Sequence, residues 1–223
     1  MNNIKVSKID KYKNLNNKWT TKDIYFMQQA LKCAQKAYEK DEVPVGAIIV
    51  KNNKIISKGY NKNITLKDTT AHAEIIAIRK ACKKLNNYRL NDCSIYVTIE
   101  PCSMCAGALV HARIKNIYFG AQDTKTGSCG SIFNRANSNK LNHNINIFGG
   151  LLEQDCARII KQFFKNKRTR GWVGFDGDER SIESKHELVD GSVKIDRKRN
   201  DKQIVPNSML KPLMGFGAMP IAA

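Results

Sequence analysis

The sequence predicts an α/β protein in which one mixed β-sheet carries helices on both faces. Segments with helical and strand-like patterns alternate along the chain, as they do in proteins of this class. The apolar fraction of 42% is typical of a globular protein with one well-buried core. No apolar run approaches the roughly 18–20 residues that span a bilayer, so a membrane protein is not expected.

The first elements are a helix and a β-hairpin. The helix is predicted from Thr21, because apolar residues then recur at spacings of three and four: Ile24, Met27, Leu31, Ala34 and Tyr38. The apolar run 45–50 predicts a buried strand, and 55–60 predicts the returning strand of a hairpin. Asn52 and Asn53 between them suit a tight turn.

The rest of the domain keeps the same alternation. After a loop over 62–70 we expect helices near 72–85, 102–112 and 151–164, and strands near 94–99, 114–119 and 145–148. A loop dotted with glycines occupies 124–131.

Composition divides the chain into three parts. Residues 1–20 are predicted to be a flexible basic arm, 21–170 a folded domain, and 171–223 an extension of unknown role that is disordered or loosely docked. The net charge is +18, and all of it lies before residue 171, because the extension has equal numbers of acidic and basic residues. Such a charge favours a polyanionic partner. An abundance of Lys, Asn and Ile also results from A/T-rich coding, so charge alone is weak support for nucleic-acid binding.

The seven cysteines are odd in number and scattered, and the first residues lack the apolar stretch of a secretory signal. We therefore expect a cytoplasmic protein with reduced thiols and no disulfide framework. Four of them, Cys33, Cys82, Cys93 and Cys156, fall in helical or strand patterns and are expected to be small core residues.

Two short motifs carry the most specific signal: His72-Ala73-Glu74 and Pro101-Cys102-Ser103-Met104-Cys105. Zinc binds His nitrogen and Cys thiolate, and a catalytic zinc site keeps one of four positions open for water. Cysteines three residues apart at the start of a helix face the same way. The positive end of the helix also favours the thiolate form. His72, Cys102 and Cys105 are therefore the predicted ligands of one zinc ion.

Glu74 is predicted to be the catalytic acid and base. It lies two residues after His72, and on an ideal helix the two side chains would not share a face, so His72 must lie at or before the first turn. Glu74 then lies near the metal without binding it, where a carboxylate can take a proton from water and return it to the substrate. A four-cysteine structural zinc site would need a second CxxC, which the sequence lacks, and a redox pair would leave the His72 motif unexplained.

These motifs resemble the tRNA adenosine deaminases of the TadA type, within the cytidine-deaminase superfamily, whose HxE…PCxxC pattern is well known. The resemblance runs from about Ile24 to about Arg168 and includes the segments 42–47, 59–61, 70–75, 88–90, 96–108 and 125–127. It implies a cytidine-deaminase-like three-layer sandwich with a mixed five-stranded sheet. It further implies a zinc hydrolase that converts adenosine to inosine at the wobble position of tRNA.

The resemblance also implies substrate contacts and assembly. Asn61 is similar to a family asparagine that touches the target nucleotide, and 163–168 resembles a helix that contacts the anticodon stem-loop. In that segment the expected RNA-binding residues are Phe163, Phe164, Lys165, Lys167 and Arg168. Cations can pair with phosphates and rings can stack on unpaired bases, although Phe163 is equally suited to the core. The family suggests a homodimer.

Some positions depart from the family, and two other functions stay open. Thr69 replaces a usual proline, and Cys129 replaces a small residue in the glycine-dotted loop. His111 and His143 have no ligand partners in the sequence and are expected to be structural. One alternative is a deaminase of a free base or nucleoside, such as guanine or cytosine. The other is an RNA-binding protein with structural zinc, which the presence of Glu74 disfavours.

Overall fold

The centre of the fold is a mixed β-sheet. The computed structural model describes residues 18–138 and 140–169, and within them five strands join in the order β2-β1-β3-β4-β5. The strands are β1 Gly46–Lys51, β2 Lys54–Tyr60, β3 Ser94–Ile99, β4 Asn116–Ala121 and β5 Asn146–Gly149. β1 is antiparallel to β2 and β3, whereas β3, β4 and β5 are parallel.

Helices cover both faces of this sheet. They are α1 Thr21–Tyr38, α2 Asn63–Leu66, α3 Ala73–Leu85, α4 Ser103–His111 and α5 Glu153–Thr169. Successive residues of β1 point to opposite sides, as the period of a strand requires. Ala47 and Ile49 enter the core beneath α3 and α4, and Ile48 and Val50 enter the core beneath α1 and α5. The predicted α/β class with a five-stranded mixed sheet and helices on both faces is confirmed.

Local chemistry accounts for the first elements. Thr20 caps α1: its side chain accepts a hydrogen bond from the Asp23 backbone, and the Asp23 carboxylate accepts one from the Thr20 backbone. In the hairpin turn Asn52 and Asn53 have φ angles of 49° and 58°, the left-handed region that asparagine tolerates well.

Two glycines allow helices to lie directly on the sheet. A Cβ atom on Gly46 would come within 2.1 Å of the Ala30 carbonyl oxygen in α1. On Gly59 it would come within 2.2 Å of the Ala73 carbonyl oxygen, at the start of α3. Neither position can hold a larger residue without moving a helix backbone.

The structure differs from the sequence prediction at the limits of several elements, including a start of α5 two residues later than predicted. The short helix α2 lies inside the segment expected to be a loop, and α5 continues five residues beyond residue 164. β4 begins two residues later than predicted, because Ile114, although fully buried, still belongs to the turn that leaves α4: its N–H donates to the Leu109 carbonyl.

The domain boundaries remain predictions. Of the predicted arm, residues 18–20 are described, and Trp19 is 6% exposed and packs in the core on the α1 side. We therefore place the start of the folded part at or before residue 19. The predicted extension at 171–223 lies outside the described residues.

Candidate active site

Three side chains that could hold a metal ion converge at one end of the sheet. The ligand atoms of His72, Cys102 and Cys105 all lie within 4.8 Å of one another. The Nδ1 atom of His72 is 3.8 Å from the Cys102 sulfur and 3.6 Å from the Cys105 sulfur. The structure thus brings together the three predicted zinc ligands.

Two helix starts place these side chains. His72 is the N-cap of α3 and Cys102 is the N-cap of α4, both with extended backbone. Cys105 follows in the first turn of α4, so its sulfur lies on the same side as that of Cys102. Because β3 ends at Ile99 and leads directly into α4, the cysteines lie at the carboxyl end of a central strand, where open α/β sheets bind ligands.

The thiols of the cluster are strongly coupled. Hydrogen bonding to Cys105 lowers the pKa of Cys102 to about 4, aided by His72 and opposed by burial. The same contact with Cys102, together with burial, raises the pKa of Cys105. The two sulfur atoms are therefore close enough to interact directly, as two ligands of one cation would be. Two sulfurs and one imidazole nitrogen form a donor set that fits zinc and leaves its fourth position for a reactant.

Glu74 lies beside the cluster without belonging to it. Its side chain is 2% exposed, and burial raises the pKa of the carboxyl group. Among the residues that the structure describes, its Oε2 atom has no hydrogen-bond partner. An unpartnered oxygen at such depth is costly unless a water or ligand satisfies it, so the site is built to place a polar reactant against Glu74.

Asn61 is fixed at the same helix start. It is 6% exposed, and its Oδ1 atom accepts the Ala73 N–H at 2.8 Å. This bond determines which edge of the amide faces α3, and it leaves the NH₂ edge turned away from that backbone. The resemblance had indicated Asn61, and the structure places it directly next to the His72 motif.

Glu100 is a buried residue that the sequence analysis did not single out. It directly precedes Pro101 and is 1% exposed. Its carboxylate accepts hydrogen bonds from Asp123, Cys129 and Ser131, all in the glycine-dotted loop or at its start. The sequence did contain a signal for Glu100, because a charged residue stands there at the end of an apolar strand and directly before a ligand motif.

The five predicted RNA-binding residues of α5 do not form one surface. Phe163 is 5% exposed and packs edge-on against Tyr38, with 5.7 Å between ring centroids. Phe164 is 43% exposed, and Lys165 and Arg168 are also exposed. Lys167 forms an ion pair with Asp41. Phe163 therefore serves the core, as the sequence analysis allowed, and the other four remain candidates for RNA contact.

Within the described residues, the other histidines and cysteines are not members of the cluster, although the Cys129 thiol is close enough to interact electrostatically with Cys102 and Glu74. The His143 ring bonds the Ile114 carbonyl at 2.7 Å, at the opposite end of β4 from the site, and His111 is exposed at the end of α4. Of the other cysteines Cys33, Cys93, Cys129 and Cys156 are buried and Cys82 is half-buried. Within the described ranges no helix is long and apolar enough to cross a membrane.

Comparison with known proteins agrees with this geometry. Residues 21–168 match the MafB19-like deaminase family. The tRNA-specific adenosine deaminase of Haemophilus influenzae is 46% identical over 147 residues, which are 66% of this chain and 85% of that protein. The enzyme of the same name from Aquifex aeolicus is 48% identical over 144 residues, 65% of this chain and 95% of that protein.

Solved structures show the same likeness. A tRNA:A34 deaminase studied for A-to-I editing at the wobble position is 43% identical, with a TM-score of 0.59 over 60% of this chain and 98% of that one. A guanine deaminase from Nitrosomonas europaea shares the fold at 21% identity, with a TM-score of 0.56 over 63% of this chain and 83% of its own. The chain therefore belongs to the MafB19-like deaminase family, alongside the tRNA-specific adenosine deaminases.

Proposed function

We propose that this protein is a hydrolase that deaminates adenosine to inosine at the wobble position of tRNA. The observation that carries the proposal is the cluster of His72, Cys102 and Cys105 beside the buried Glu74, whose Oε2 atom has no hydrogen-bond partner among the described residues. Its support is the 41–48% identity to tRNA-specific adenosine deaminases, of which the chain covers 85% or more.

The three-residue cluster would hold one zinc ion. Bound there, zinc would supply Lewis acidity and make a water molecule a better nucleophile near neutral pH. His72 and the two cysteines would hold the metal firmly, because each is fixed at a helix start rather than on a loop.

Glu74 moves the protons of the reaction. Deamination adds water across the bond between the amino-bearing carbon and the neighbouring ring nitrogen, and then expels ammonia. Glu74 takes one proton from the water, delivers it to the ring nitrogen, and carries the next one to the departing amine. Burial suits this role because it raises the pKa of Glu74. The carboxyl group then takes up a proton more readily than an exposed glutamate would, as a general acid must.

Other residues would position the RNA. The Asn61 amide would hold the flipped-out nucleotide through its NH₂ edge. On α5, Phe164 offers an exposed ring for a base, and Lys165 and Arg168 offer charges for phosphates. Lys167 would contribute less, because Asp41 already pairs with it.

The decisive experiment compares substrates for the zinc-loaded protein. An anticodon stem-loop with a wobble adenosine should yield inosine, detected by chromatography after nuclease digestion. The matched control is the same stem-loop with guanosine at that position, next to free adenosine, guanine and cytidine. If the protein deaminates a free base but leaves the RNA unchanged, the proposal is contradicted and the free-base alternative is favoured.

We also propose that the protein is cytoplasmic, as its scattered, unpaired cysteines suggest, and that it acts as a homodimer, as the resemblance implies. Sedimentation at micromolar concentration should give twice the chain mass of 25.2 kDa. A monomer that edits RNA at full rate would contradict the homodimer.

A further inference from the structure

Glu100 lies outside the catalytic residues assigned above, yet it is one of the most deeply buried charged side chains described. It stands between the end of β3 and Pro101, with 1% of its surface exposed. Burying a carboxylate is costly unless hydrogen-bond donors surround it. Its donors therefore show what the residue does.

All of these donors come from one loop, residues 123–131. Oε1 accepts the N–H groups of Cys129 at 2.9 Å and Ser131 at 3.0 Å. Oε2 accepts the N–H of Asp123 at 3.2 Å and the hydroxyl of Ser131. A backbone N–H can only donate, so one acceptor group ties together both ends of the loop.

The same loop lies against the segment that carries the cysteines. The Ser128 N–H donates to the Pro101 carbonyl at 2.9 Å, and the hydroxyls of Ser128 and Ser103 are 2.7 Å apart. Gly127 pairs with Cys102 as an isolated β-bridge. The loop therefore contacts Cys102 and the residue on each side of it.

Gly127 shows how closely the carboxylate and the loop fit. A Cβ atom at this position would lie 2.5 Å from Oε2 of Glu100 and 2.4 Å from the Asp123 carbonyl oxygen. Only glycine allows the loop to approach Glu100 this closely without a clash.

We propose that Glu100 is a positioning residue of the metal site: it holds loop 123–131 against the start of α4, and the loop in turn fixes Cys102 in its metal-binding position. The inference rests on the proposed function only in taking His72, Cys102 and Cys105 as the metal ligands. Residues that orient metal ligands typically change metal affinity about 10- to 100-fold when they are replaced.

A matched pair of variants tests this role. Glu100→Gln keeps the shape but replaces one acceptor oxygen with a donor, which opposes the N–H groups of the loop. Glu42→Gln is the control, because Glu42 is also 1% exposed and accepts the N–H groups of Ile64 and Thr65. Glu42 anchors α2, not the loop that contacts Cys102.

Three measurements need neither RNA nor enzymatic activity: zinc affinity, amide hydrogen exchange and the absorption spectrum of the cobalt-substituted protein. Zinc affinity is obtained by competition with a chromophoric chelator, and amide hydrogen exchange is followed by mass spectrometry. Glu100→Gln should weaken zinc binding about 10- to 100-fold and lose exchange protection in 123–131. Glu42→Gln should lose protection near 63–66 and bind zinc like the wild type. In the cobalt-substituted protein, only Glu100→Gln should alter the absorption bands of the thiolate ligands.

If both variants bind zinc within about twofold of the wild type, Glu100 is merely a stabilising residue and the inference is wrong. The inference is also wrong if Glu100→Gln weakens zinc binding but leaves hydrogen exchange in 123–131 unchanged, because the effect then does not act through that loop. If Glu100→Gln fails to fold, Gly127→Ala disturbs the same contact from the loop and should weaken zinc binding. The wild-type titration tests the proposed metal site separately, since a protein that binds no zinc refutes that site rather than the role of Glu100.

Discussion

The metal cluster and the basic helix α5 were both expected to be functional, but they differ in how tightly the structure determines them. In the cluster three ligand atoms lie within 4.8 Å, because each motif occupies a single helix start. Along α5 the predicted residues diverge: Phe163 is buried, Phe164 is exposed and Lys167 pairs with Asp41. A motif of fixed spacing specifies local geometry, whereas the role of a surface charge depends on whatever neighbour the fold supplies.

The largest expected effect tests the first half of this comparison. Cys102→Ala should lose most of the bound zinc and all measurable deamination, because two ligands remain where a catalytic site needs three. Elemental analysis of the purified protein gives the zinc content per chain. Cys93→Ala removes a buried thiol just before β3, at the opposite end of that strand from the cluster, and should retain the metal. Undiminished zinc in Cys102→Ala would refute the ligand assignment.

Glu74→Ala should separate chemistry from binding. We expect kcat to fall by about 10²–10⁴-fold, the usual contribution of a general acid or base, while zinc content and RNA affinity stay unchanged. Single-turnover kinetics and a binding titration measure the two quantities independently. Loss of zinc together with activity would show that Glu74 is a ligand or a folding element.

On α5 the expected effect is smaller and concerns affinity. Neutralising Lys165, Lys167 and Arg168 together should weaken RNA binding and lower its salt dependence, by about 0.7 in the logarithmic slope for each single-stranded phosphate that the protein no longer neutralises. Turnover at saturating RNA should fall much less. Because Lys167 is already paired, Lys167→Ala alone should account for little of the change. Filter binding across a salt series measures the slope.

The double variant Lys83→Ala/Lys84→Ala is the matched control for that series, since it removes two exposed charges from the end of α3. It should leave the slope nearly unchanged. If the α5 triple variant shows the same salt dependence of RNA binding as the wild type, those charges face solvent and do not contact the RNA.

The smallest effect is expected from removing 171–223. The family match ends at residue 168, and the extension adds no net charge, so a chain ending at Arg170 should keep its zinc, thermal midpoint and deamination rate. Calorimetry and the stem-loop assay compare it with the full chain. A truncated protein that folds but cannot edit would place the extension in the active machinery.

The sequence predicted what depends on local pattern and missed what depends on distant partners. The strand 94–99 has its predicted limits, and the turn at Asn52 and Asn53 is present. Helix α2 was missed because four residues show no period, and its N–H groups are held by Glu42 from more than twenty positions earlier. Periodicity shows that a residue is buried, but it does not show which loop that residue supports.

The same limit applies to the site. The residue types and spacing of His72, Cys102 and Cys105 were sufficient to predict their convergence, because zinc chemistry restricts the ligands to few types. The support from Glu100 depends on a contact about thirty positions along the chain, with Cys129 and Ser131. No periodic or spacing rule connects those residues.

The close packing at Gly46 and Gly59 determines which partner must change shape when substrate binds. With α1 and α3 lying directly on strand backbone, the helix that carries Glu74 cannot slide over the sheet to meet a nucleotide. We therefore expect this helix to keep its place on binding, so that an RNA substrate would have to unstack and extrude its base to enter, at a cost of a few kcal/mol. Selectivity would then depend partly on how easily a given RNA loop deforms, as well as on the contacts made once the base is inside.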